Sequence, residues 1–86
     1  MAKRRKIFER LMNGTADADL AFEDLCRLLR QLGFDERVRG DHHIFTRNGV
    51  EEILNLQPKS AQAKPYQVKQ VRNLIRKYGL EIDGGE

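Results

Sequence analysis

Residues 33–58 read GFDERVRGDHHIFTRNGVEEILNLQP, and this stretch decides the fold. Phe34 to Arg39 is short and β-permissive, and Gly40-Asp41 marks a turn. His42-His43-Ile44-Phe45-Thr46 is rich in aromatic and β-branched types, which fit a pleated, half-buried surface. Asn48-Gly49 follows, the strongest short hairpin signal a sequence carries. Val50 to Gln57 supplies a third run containing Ile53, Leu54 and Leu56, and Pro58 closes it. Three runs joined by tight turns predict an antiparallel meander.

Helical periodicity takes over on both sides. Upstream, Phe22, Leu25, Leu29 and Leu32 fall at i, i+3, i+7 and i+10, with Ala21 and Leu28 widening the stripe. Gly33 sits where a left-handed cap belongs, and Phe34 can fold back on the last turn. Downstream, Lys59 to Lys64 reads as a polar loop, and Pro65 suits the first position of a helix. Val68, Val71, Ile75 and Tyr78 repeat the same spacing until Gly79 stops it. A further short helix is predicted over residues 3–12, with Ile7, Phe8, Leu11 and Met12 on one face. Thr15 to Asp19 reads as a polar linker whose acids suit the start of the next helix. The order is helix, helix, three strands, helix. A small sheet needs a cover, so the fold class is α+β, a two-layer sandwich with helices on one sheet face. The other face is left to solvent or to a partner.

Eighty-six residues hold one core and no second. The single cysteine, Cys26, rules out an internal disulfide and points to a reducing, cytoplasmic setting. No apolar run reaches the roughly 20 residues of a membrane helix, so no membrane partner is expected. The basic run Lys3 to Lys6 lacks the apolar region of a signal peptide. Between Asn55 and Leu80 there are six basic residues and no acidic one, a local field suited to phosphates. An ordinary solvated helix face would read the same way.

His42-His43 is the only concentration of acid–base groups, and imidazole exchanges protons near neutral pH. Neighbours on a strand point to opposite faces, so one histidine faces the helices and the other faces out. The pair therefore cannot chelate one ion. With Cys26 expected on a distant helix, no metal and no cofactor is assigned. There is no GxSxG elbow, and the glycines are scattered singly rather than grouped in a phosphate cradle. Lys69, Arg72 and Arg76 lie at i, i+3 and i+7 on the last helix. With Lys59 and Lys64 they form a candidate rail for a nucleic-acid backbone, to which Lys3 to Lys6 would add.

Gly40-Asp41-His42-His43-Ile44-Phe45, the helix end Leu29-Arg30-Gln31-Leu32-Gly33-Phe34, the strand end Gln57-Pro58 and Lys69 to Leu80 together resemble the HicA toxin family. These are small mRNA interferases of bacterial toxin–antitoxin pairs. The resemblance implies a double-stranded-RNA-binding-like fold over residues 20–80. Residues 1–19 would be an extension with an extra N-terminal helix, and residues 81–86 a flexible tail. It further implies a metal-independent endoribonuclease that cleaves mRNA, and a HicB-like antitoxin partner. The family's Gly-Ser-His signature places its catalytic histidine at His42, and His43 matches a position where many members also carry histidine. Asp41 departs from the usual serine, adding a charge that repels phosphate. With one histidine at the site, the second proton carrier would be water or a group from another copy in a homo-oligomer. The rival expectation is a non-catalytic RNA-binding module of the same fold, and a third is a protein-interaction adaptor using the open sheet face.

Overall fold

A computed structural model describes residues 3–15 and 17–82, and side chains from residue 6 onward. The side chains of the expected basic run at Lys3 to Arg5, and the tail at residues 83–86, lie outside what is described. The elements run α1 (Lys3–Asn13), α2 (Phe22–Gln31), β1 (Asp35–Arg39), β2 (His42–Arg47), β3 (Val50–Leu56) and α3 (Pro65–Tyr78). The strands form one antiparallel sheet in the order β1-β2-β3, giving the expected α+β arrangement with the extra helix α1.

Alternation along β2 and β3 turns Phe45, Val50, Leu54 and Leu56 inward. They meet Leu25, Leu28 and Leu29 of α2 and Val68, Val71 and Ile75 of α3 in one core, which Leu11 of α1 also joins. Phe45, Leu54 and Leu56 are fully buried, each side chain worth about 1.5–3 kcal/mol relative to exposure. The C-terminus of α2 closes as its sequence predicts. Gly33 takes φ +95°, Gly33 N–H donates to Arg30 O, and Phe34 N–H reaches back to Leu29 O. The chain also stays packed beyond Leu80, since Ile82 is buried.

Two connections differ from expectation. The acids of the first linker do not start α2: its N-cap is Ala21, without a side-chain cap bond, and Glu23 and Asp24 occupy the first turn. Asp17 turns instead to Arg72 of α3. The Lys59 to Lys64 loop is an ordered turn. Lys59 and Gln62 exchange backbone hydrogen bonds across Ser60 (φ 51°) and Ala61 (φ 69°). Phe22 N–H donates to Ala61 O and Ala63 N–H to Leu20 O, which stitches this turn to the start of α2. Nothing in Ser60-Ala61 signals left-handed backbone, so tertiary bonds hold it there. Ala61→Gly is therefore expected to raise stability by about 0.5–1 kcal/mol in thermal melting, because the exposed Ala61 methyl contributes only strain.

Candidate active site

The two histidines part as strand geometry requires. His42 projects from the helix-free face of the sheet, its side chain 49% exposed. Its partner there is Asn55 of β3, with Nδ1 3.1 Å from Asn55 Oδ1. An amide oxygen only accepts, so Nδ1 carries the hydrogen of that bond and Nε2 is the ring nitrogen left free of Asn55. Across the β2–β3 pair, Ile44 lies opposite Asn55 and His43 opposite Leu56, which leaves Asn55 diagonal to His42. On the other side Arg39 of β1 is registered with His42. Both share the open face, where Arg37, Arg39, Ile44 and Ile53 line a shallow depression.

Asp41, in the β1–β2 turn, borders the same imidazole. Its Oδ1 stands 3.9 Å from His42 Nε2, too far for a hydrogen bond. Its Oδ2 accepts from Gln57 Nε2 at 2.8 Å. That hydrogen bond first, and then its own backbone amide and the charges of His42 and Lys64, hold the Asp41 carboxyl below its ordinary value. Asp41 is thus an anion at neutral pH, tethered beside the histidine by the end of β3.

His43 faces the helices, half-buried, as its parity predicts. Its Nδ1–H donates to Glu36 Oε2 at 2.7 Å, and its ring meets Phe22 edge-on with centroids 4.9 Å apart. Arg30 of α2 binds the other oxygen of Glu36. Burial works against ionisation of Glu36, but the bonds from His43 and Arg30 win and hold its carboxyl below the usual range. His42 and His43 therefore do not share a site, so the assignment of both to catalysis resolves into one exposed and one packed residue. Cys26 is not distant: α2 lays it over β1 and β2, where its thiol is buried and pushed up to about 12, mainly by burial and next by the Glu36 charge.

The five residues of the basic rail also separate. Lys59 is exposed in the ordered turn, and Lys64, at the N-cap of α3, sends its charge toward Asp41. Lys69 is exposed on α3. Arg72 forks onto Asp17 at 2.7 and 3.0 Å and donates to Leu11 O at 3.1 Å. Arg76 donates to Met12 O at 3.2 Å. Leu11 and Met12 end α1, so these two arginines cap its C-terminus, where free carbonyls favour cations. Arg72, with a side chain only 12% exposed, belongs to the fold rather than to an open rail.

Asn55 and Arg39 carry no signal in the sequence, and Gln57 stands there only as a strand end before Pro58. Parity puts all three on the His42 face, but their proximity depends on register. Arg47 pairs with Val50 at the hairpin, while Phe45 pairs with Leu54, so β3 carries extra residues in a bulge. Counting outward from Asn48-Gly49 without that bulge sets Asn55 directly opposite His42 instead of Ile44, and Gln57 opposite Gly40.

No curated protein and no solved structure matches the chain. A family model described as "HicA toxin of bacterial toxin-antitoxin" matches residues 22–80, from the first residue of α2 to the residue after Gly79, and leaves α1 outside. Together with the α-β-β-β-α order and the Gly40-Asp41-His42-His43 turn, that match over most of the sequence means that the chain belongs to the HicA toxin family.

Proposed function

We propose that this toxin is a metal-independent endoribonuclease that cleaves mRNA with His42 as its acid–base residue. The observation that carries this reading is the exposed imidazole with Nδ1 engaged by Asn55 and Nε2 open to the solvent face. Family membership supports a ribonuclease activity and an antitoxin partner in general terms.

In the reaction, Nε2 takes the proton of a 2′-hydroxyl as that oxygen attacks the adjacent phosphorus. The new O2′–P bond forms as the P–O5′ bond breaks, and the departing O5′ takes a proton from water. Arg39, registered with His42, and Lys64, whose charge reaches Asp41, stabilise the charge that develops on the phosphoryl oxygens. Lys59 and Lys69 contact more distant phosphates. His43 takes no proton from the substrate; it fixes β2 against α2. The antitoxin covers the open sheet face and with it His42. A purely RNA-binding reading is weaker, because Arg72 and Arg76 are engaged by α1.

The test is cleavage of a short RNA against the same strand with one 2′-deoxy position at the scissile bond. The deoxy strand is expected to resist cleavage there, and equal cleavage of both would exclude 2′-hydroxyl attack. Asp41→Ser removes an anion from the path of the phosphate. It should raise the cleavage rate by about threefold to tenfold in single-turnover kinetics, the size of one screened surface repulsion. Because Asp41 is exposed, the melting temperature should hardly change.

A further inference from the structure

The helix-facing side of the sheet carries a second constellation that the cleavage chemistry does not use. Cys26 of α2, Glu36 of β1 and His43 of β2 bring a thiol sulfur, a carboxylate oxygen and an imidazole nitrogen within 4.8 Å of one another. We propose that these three side chains form a binding site for a soft divalent cation of the zinc type, tying α2 to the first two strands.

The donor set favours this class of ion. Sulfur, nitrogen and oxygen ligands together suit zinc, whereas calcium and magnesium take oxygen ligands alone. The supports around the ligands are also in place. Arg30 holds the Glu36 oxygen that faces away from His43, so Oε2 stays directed at the imidazole. Phe22 packs edge-on against the His43 ring and fixes its plane. Such outer contacts orient metal ligands in established sites. Access is open from one side, since Glu36 and His43 remain 15% and 24% exposed while Cys26 is buried. Three protein ligands leave a fourth tetrahedral position for water.

Coordination exchanges a proton for the cation. The thiol proton of Cys26 leaves to solvent, and the proton that His43 shares with Glu36 passes from Nδ1 to Nε2, which frees Nδ1 for the ion and keeps the ring neutral. The thiolate and carboxylate together balance the charge of the ion, and Arg30 stays on the outer carboxylate oxygen. His42 lies on the opposite sheet face, so the bound ion would brace the scaffold without entering the cleavage step.

Titration of the purified full-length chain with Co2+ and then Zn2+ tests this. Co2+ is expected to produce a thiolate-to-metal charge-transfer band that saturates at one ion per chain and is displaced by Zn2+. Saturating Zn2+ should raise the melting temperature by roughly 5–15 °C, since the ion binds only the folded chain. Cys26→Ser should abolish the band, and Arg30→Gln should weaken Co2+ binding by about 10- to 100-fold. Should Cys26→Ser fold poorly, Glu36→Gln replaces it, with circular dichroism of the metal-free variant as the control. A wild-type chain that shows no band and no Zn2+-dependent melting shift overturns the proposal, as does an undiminished band in Cys26→Ser or Glu36→Gln. The cluster would then be a hydrogen-bonded packing network only. None of these readouts involves RNA, so this outcome is independent of the ribonuclease reading.

Discussion

His42→Ala is expected to lower RNA cleavage by about 10²- to 10⁴-fold, the usual contribution of a positioned acid–base side chain. Toxicity on induced expression should disappear with it. The fold should not suffer: the His42 ring is half exposed, and its hydrogen bond to Asn55 lies at the surface. Stability should stay within about 0.5 kcal/mol of the parent. His43→Ala gives the contrasting profile, because it strips the packed ring from Phe22 and the Nδ1 donor from Glu36. Its loss should appear first in the melting temperature. Single-turnover cleavage measured beside thermal melting separates the two. A His42→Ala protein that cleaves at the parental rate would sink the mechanism and leave an RNA-binding module as the better description.

Arg72→Ala is expected to destabilise the chain by about 2–3 kcal/mol, a large share of what a small domain has. The guanidinium is mostly enclosed, holds both oxygens of Asp17 and caps the Leu11 carbonyl. Removing it leaves a half-buried carboxylate without its guanidinium partner and takes from the Leu11 carbonyl the donor it has besides Gly14 N–H. Lys69→Ala, one turn away and exposed, should leave stability unchanged and weaken RNA binding instead. The pair also has a pH signature. The hydrogen bond from Arg72 outweighs burial and holds the Asp17 carboxyl below its ordinary value. A depressed carboxyl stabilises the fold above its unfolded pKa, near 4, and that contribution is lost as pH falls through the lower folded value. Wild type should lose this increment on acidification below about pH 4, and Arg72→Ala should lack it. Parallel melting curves for the two proteins from neutral to acid pH would contradict the assignment.

The fold was legible because its signals are local. Periodicity marked all three helices, Gly33 and Gly79 marked two helix ends, and Asn48-Gly49 marked the β2–β3 turn. Strand alternation alone predicted that His42 and His43 face opposite ways, and the structure places them so. What sequence spacing cannot express is which distant groups satisfy one another. Arg72 and Arg76 have helical spacing suited to an RNA rail, yet the C-terminal carbonyls of α1 and the Asp17 carboxylate engage them. The free carbonyls at the end of a helix take up the nearest donors, and α3 is the helix that passes them.

The sequence by itself determined the element order, the buried stripe of each helix and the face of each histidine. These follow from side-chain period and backbone preference within a few residues. Only the tertiary structure decided what surrounds each histidine. A bulge in β3 sets the register that leaves Asn55 diagonal to His42 and brings Gln57 to Asp41, and α2 packing brings Cys26 to Glu36 and His43. Each of those contacts joins residues far apart in the chain, and their positions are fixed by the closing of one shared core rather than by any local pattern.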